Sequence, residues 1–308
     1  MELLRFLEDA RSPLLNSVIG LITQLGEETV GIILLCVIFW CISKRAAYRI
    51  GIAYFLSGLT VQGMKICFRI DRPWIADTTL TPVESAVKNA TGYSFPSGHT
   101  QSATALFGSL GLQIKEKPVK ALCFLIVLLV AFSRLYLGVH TLLDVAVSLV
   151  ISMLLVMLAI KIAGKDGPVS KKRELILALI LILYAIVIIV IAAALYSGEM
   201  IGREYLQDCL KAAGAGVGFA AGMYIERVYI DFPVKTKSLV MQIIKPVAGI
   251  AGVLAIKEGL KLVIGTSLAA DIIRYFIMLI WVTVLFPLII SRFFANKDRS
   301  GSENGNEE

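Results

Sequence analysis

Long apolar runs separated by short polar breaks set the pattern of this chain. The runs lie near residues 29–43, 46–68, 98–114, 118–137, 140–163, 174–196, 208–226, 239–264 and 268–294. A helix crosses a bilayer core with roughly 20 predominantly apolar residues, so the pattern predicts about nine transmembrane helices, several of them short or interrupted by polar residues. The breaks carry information of their own. Lys44, Arg45 and Arg49 follow the first run, Lys115, Lys117 and Lys120 the third, Lys161 and Lys171–Arg173 the fifth, Arg227 and Lys235 the seventh, and Arg292 and Lys297 the ninth. Basic loops stay on the cytoplasmic side. The alternation therefore predicts an outside N-terminus and a cytoplasmic C-terminus, with residues 69–97 and 133–140 on the non-cytoplasmic face.

Ahead of the first run, Glu2, Arg5, Glu8, Asp9 and Arg11 break any apolar leader core, and the Leu and Phe spacing around them predicts an amphipathic helix lying in the interface. The segment 69–97 is longer than an ordinary connection and holds Pro73, Trp74, Pro82, Tyr93 and Phe95, which suits a lid or a binding element. Gly214, Gly218 and Gly222 recur every four residues, a small-residue stripe for close helix packing. The end of the chain is polar, acidic and aperiodic, and is expected to be disordered.

Composition narrows the class. The 308 residues are 57% hydrophobic and 17% charged, with a mean hydropathy of +0.80, too apolar for a soluble domain. A net charge of +7 would suggest nucleic acid in a soluble protein, but here the basic residues sit in the loops as topology signals, so no nucleic-acid partner is expected. The cysteines at 36, 41, 67, 123 and 209 lack metal-type spacing and read as small core residues.

Against this background, three polar segments stand out. Ser133 to Asp144 puts Arg134, His140 and Asp144 between two apolar runs, and a charged group at membrane depth normally faces a cavity or a partner. If the chain is helical from His140 onward, His140 and Asp144 lie at i and i+4, close enough for the carboxylate to accept one imidazole N–H and leave the other nitrogen as a nucleophile or base. The chain has only two histidines, and the other, His99, closes the segment Phe95-Pro96-Ser97-Gly98-His99. Lys65 and Arg72-Pro73 make the third segment. Lys65, Arg72 and Arg134 can supply cations to a phosphate, each contact contributing about 1.5–3 kcal/mol when well made. Ser97 and Gly98 precede a helix whose free N–H groups favour an anion. No Asp/Glu cluster offers a metal site, so neither metal nor cofactor is expected.

Read together as K-x6-R-P, P-S-G-H and S-R-x5-H-x3-D, these segments resemble the type-2 phosphatidic acid phosphatase superfamily, the lipid phosphate phosphatases, over roughly residues 29 to 163. The resemblance implies a metal-independent membrane phosphatase acting on a lipid phosphate or diphosphate at the non-cytoplasmic face. It implies that His140, oriented by Asp144, attacks phosphorus to give a phosphohistidine. His99 then protonates the leaving alcohol and later activates water. The larger members, glucose-6-phosphatase among them, have a similar nine-span layout and keep a soluble sugar phosphate open as substrate. A headgroup or phosphoryl transferase and a non-enzymatic lipid transporter stay open as well. Charged residues near outer helix ends, such as Lys257, Asp271 and Arg274, would serve a transporter, although local ion pairs explain them too.

The expected fold is an all-α integral membrane protein. It comprises an amphipathic segment 1–28, a six-helix phosphatase core 29–196, appended membrane helices 197–295 and a polar tail 296–308. The expected site is His140, His99 and Asp144 for catalysis, with Lys65, Arg72, Ser97, Gly98 and Arg134 on the phosphate. The setting is a multi-pass protein of a bacterial cytoplasmic membrane, or of an internal membrane with its site on the lumenal face.

Overall fold

At membrane depth a backbone must satisfy its own N–H and C=O groups, and a helix does so within one segment. The computed structural model describes residues 1–88, 90–164, 170–235 and 239–292, and among these residues every regular element is helical. Besides two single turns, Pro73–Ala76 and Glu84–Val87, the helices are α1 (Glu2–Asp9), α2 (Pro13–Gln24), α3 (Glu28–Val37), α4 (Lys44–Phe68), α5 (Gly98–Ala103), α6 (Lys117–Tyr136), α7 (Leu142–Ala163), α8 (Lys171–Ser197), α9 (Arg203–Ile225), α10 (Leu239–Ile264) and α11 (Leu268–Ile280). Helices α3, α5, α9 and α11 run on through wider π-type turns, α5 as far as Gln113. Local sequence explains many of the starts. Ser12, Ser43, Ser97 and Ser267 accept a backbone N–H as N-caps, and Pro13 sits in the first turn of α2.

Among the described residues each of the nine apolar runs is mostly helical, yet six helices are long and apolar enough to cross a bilayer alone. The bent pair α2 and α3, angled at 48°, makes a possible seventh. The difference has physical causes. The helix from Gly98 to Gln113 is short, and α9 opens on Arg203, Glu204, Asp208 and Lys211. The tail 296–308 lies outside the described residues.

Helix α4 runs through the middle of the bundle, its Ile50, Ile52 and Ala53 fully buried, and packs against α5, α7, α8 and α9. Helices α9 and α11 meet along the expected glycine stripe. A Cβ on Gly214 or Gly218 would lie 2.6 Å from the carbonyl oxygen of Ile272 or Phe276, so the two backbones pack directly. The N-terminal segment, expected to lie in the interface, also packs inward. Phe6, Leu14 and Leu21 are exposed, but Leu4 and Leu7 are buried with Leu80, Leu135 and Val145. Arg5 pairs with Asp77 at 2.9 Å, and Arg11 donates to the Tyr136 carbonyl at 2.9 Å. This segment holds the 69–97 loop against the ends of α6 and α7.

Candidate active site

Two connections bring the polar segments together. The 69–97 loop joins the end of α4 to the start of α5, and the turn at 137–141 joins α6 to α7, so four helix ends meet on one side of the bundle. A cavity of about 410 Å³ opens there. Six of the eight residues expected in the site line it: Lys65, Arg72, Gly98, His99, Arg134 and His140. Ser97 and Asp144 stand behind the wall.

His140 precedes α7, which begins at Leu142. The expected helical face is therefore not what joins it to Asp144. Gly138, with φ +74, turns the chain, and Asp144 is the third residue of a capping box with Thr141. The pair still meets, with Nδ1 3.5 Å from the Asp144 carboxylate. The same carboxylate oxygen accepts the Ser94 hydroxyl at 2.6 Å and the Thr141 N–H at 2.7 Å. On the other side of the ring, Nη1 of Arg72 donates to Nε2 at 2.8 Å. A guanidinium can only donate, so Nε2 carries the lone pair and Nδ1 the hydrogen. Burial first, then the cations of Arg72, Arg134 and Lys65, hold this imidazole well below its ordinary pKa.

Arg72 is fixed from several directions, donating to the carbonyls of Gly92 at 3.0 Å, Thr91 at 2.7 Å and Val139 at 3.0 Å. Ser97 is committed to structure. Its hydroxyl caps α5 by accepting from Thr100, its N–H donates to the Asp144 carbonyl at 3.2 Å, and its carbonyl accepts from Ser148 at 2.6 Å. The first N–H groups of a helix lack intrahelical partners, and here they belong to the wall residues Gly98 and His99.

Arg134 is 1% exposed. Its Nη1 donates to Thr23 at 2.7 Å, while its Nε and Nη2, like Nε2 of His99, are buried without a partner among the described residues. A buried donor left open costs about 1–3 kcal/mol, so the two Arg134 nitrogens, which can only donate, mark a place for an acceptor.

Sequence reasoning passed over Ser94, Thr23 and Gly26. Ser94 is one serine in a long loop, and Thr23 one hydroxyl on an amphipathic helix. Gly26 turns the chain between α2 and α3 so closely to His99 that a Cβ would lie 2.8 Å from the His99 carbonyl oxygen and 2.7 Å from Val130. Glu28, Gln62, Asp208 and Lys211 also line the cavity.

The family model described as the PAP2 superfamily matches residues 46–168. A second, described as PAP2 superfamily phosphatase, transmembrane extension, matches residues 210–298. The first spans α4 to α7 with all eight expected site residues, and the second spans most of α9 together with α10 and α11. Two solved structures are similar. One is the first transmembrane PAP2 type phosphatidylglycerolphosphate phosphatase from Bacillus subtilis, at 25% identity and TM-score 0.43, covering 51% of this chain and 81% of that one. The other is Aquifex aeolicus LpxE, at 29% identity and TM-score 0.43, covering 52% of this chain and 93% of that one. Among curated proteins none matches.

Proposed function

This chain belongs to the PAP2 superfamily, and on that premise we propose that it is a membrane phosphatase hydrolysing a phosphate monoester or diphosphate of a lipid through a phosphohistidine. The observation that carries the reading is the set of open donors. Nε and Nη2 of Arg134 share one cavity with the His99 ring and with the lone pair of His140 Nε2. In a substrate complex, phosphoryl oxygens take the donors of Arg134 and Lys65 and replace Nε2 as an acceptor for Arg72. That releases the lone pair to attack phosphorus. The P–N bond forms as the P–O bond to the leaving alcohol breaks, and His99 gives that oxygen its proton. His99 then takes a proton from water, the water oxygen bonds to phosphorus, and the P–N bond breaks to release phosphate. Asp144 holds the Nδ1 hydrogen as His140 becomes positive.

Three cations and the helix-end N–H groups supply charge stabilisation that phosphoryl transfer otherwise takes from metal. Activity is therefore expected in chelator. A lipid suits a cavity at the outer ends of membrane helices, on the non-cytoplasmic face that the basic loops imply. Residues 29–196 would form the catalytic core, with 197–295 as an appended bundle. The test is phosphate release in detergent and chelator from lipid phosphates, diphosphates and glucose 6-phosphate, wild type beside His140→Ala. Release that the substitution abolishes, by more than about 10⁴-fold, fits the reading. Release that needs a divalent cation, or that persists in the variant, contradicts it.

A further inference from the structure

A cavity serving a phosphoryl group alone would be lined by cations and N–H donors. This cavity also presents the carboxylates of Glu28 and Asp208, the amide of Gln62 and the ammonium of Lys211. A carboxylate repels a phosphate dianion and only accepts hydrogen bonds, so toward the substrate it suits a donor on the part beyond the phosphoryl group. Space permits one. At roughly 30 Å³ for each water-sized group, 410 Å³ holds about a dozen, of which a phosphoryl group takes less than half.

The lining is also ordered along the helices. Lys65 lies at the phosphate end, and Gln62 is one turn further in on the same face of α4, about 4.5 Å along the axis. Asp208 and Lys211 face it from α9, 3.3 Å apart as an i,i+3 pair with 34% and 27% of their side chains exposed. The wall then continues past Leu59 and Phe55 to Tyr54, about 16 Å inward from Lys65 at 1.5 Å per residue. There a narrower apolar space begins, which shares Glu28, Tyr54, Phe55 and Ala215 and is walled by Val253, Met278 and Val282. Cations give way to hydrogen-bonding groups and then to hydrocarbon.

Resting on the phosphatase reading, the geometry points to a leaving-group subsite made by Gln62, Asp208 and Lys211. It selects a lipid phosphate whose leaving alcohol carries a free hydroxyl or amino group beside the phosphoester, over one whose neighbouring hydroxyls are acylated. Helix α9 thus makes the membrane extension part of substrate recognition. Asp208 would accept from the hydroxyl or ammonium, and Gln62 and Lys211 would donate to a hydroxyl's oxygen.

Lysophosphatidate has a free hydroxyl where diacyl phosphatidate has a second acyl ester, so the full-length protein is assayed on both, with glycerol 3-phosphate and p-nitrophenyl phosphate beside them, in one detergent. Wild type is expected to prefer lysophosphatidate in kcat/KM. Asp208→Ala and Gln62→Leu should each cut the lyso-to-diacyl ratio, by about tenfold for the charged partner. The exchange of Asp208→Lys with Lys211→Asp rebuilds the ion pair but reverses donor and acceptor, so it should leave the preference lost. An unchanged ratio in the single variants, or a ratio restored by the exchange, overturns the inference and leaves the phosphatase reading standing. Glycerol 3-phosphate turned over as well as lysophosphatidate overturns its hydrocarbon end. No phosphate from any of the four substrates overturns the phosphatase reading and this inference with it.

Discussion

Two clusters of buried charge, at opposite ends of α4, are treated in opposite ways. At the end of the bundle where α4 begins, Glu226 is fully buried and accepts from Lys44 at 3.0 Å, from the Tyr48 hydroxyl and from the Phe232 N–H at 3.1 Å. Beside it Arg227 meets the buried Glu174 at 2.8 Å. At the far end of α9 from Glu226, Asp271 pairs with Arg274 and also accepts from Gln207. At the opposite end of α4 stands the other kind of cluster. Arg72 directs its hydrogens to backbone carbonyls and one imidazole, and Arg134 bonds a single hydroxyl while two of its nitrogens stay open. In the first cluster each buried ion has its partner, and the desolvation of one is offset by the other. Leaving donors open lowers stability, and a fold carries that cost where a ligand will close them.

That contrast can be broken by substitution at each end. Arg134→Ala removes donors aimed at developing charge and should lower kcat by about 10²–10³, with little loss of stability because the open donors leave with it. Initial rates and thermal unfolding in the same detergent check both halves. Glu226→Gln should do the reverse, destabilising by about 1–3 kcal/mol through its buried partners while activity per folded molecule holds. If Glu226→Gln lost activity at full folding, the two clusters would not differ in kind.

Smaller effects sharpen the picture. Gly26→Ala puts a methyl into the His99 carbonyl and Val130, and should cost about tenfold in kcat by moving His99, with KM nearly unchanged. Gly20→Ala, which meets open space, should change neither. The pH profile is the finest probe. Burial and the neighbouring cations favour neutral His140, so the nucleophile stays unprotonated as pH falls through the ordinary imidazole value of about 6.5. Its acid limb in kcat/KM should therefore lie below that value. Arg72→Gln removes one of those cations, which favours the charged ring, and the limb should move to higher pH.

Much of this was legible because charge in an apolar run is conspicuous. Lys65, Arg134 and His140 stand out against the lipid-like residues around them, and only two histidines compete for attention. Gly98 and Arg72 were legible from the residues beside them, Ser97 and Pro73. What escaped was what becomes special only in three dimensions. Ser94 and Thr23 are ordinary hydroxyls until the fold brings them to Asp144 and Arg134, and Gly26 matters through one contact with His99. Asp208 and Lys211 fall at the polar start of a helix, where charges usually meet water, so nothing in their spacing showed that they face the cavity. The His140–Asp144 pair was found for a reason the structure replaces, a helix cap in place of a helical face. Helix positions followed the apolar runs closely. The number of crossings did not, since it depends on helix length and on charges at the ends, which run boundaries give only to within several residues.

The central claim is that the cluster with open donors holds a phosphoryl group while His140 takes it. The most direct measurement is a trapping experiment with His99→Ala and p-nitrophenyl phosphate, whose leaving group needs no acid. The reaction is quenched in base and the His140 peptide read by mass spectrometry. The account predicts a burst of nitrophenol with phosphate on His140, because the group that activates water is missing. Nitrophenol release without a burst and without label on His140, or a label on another residue, would contradict it.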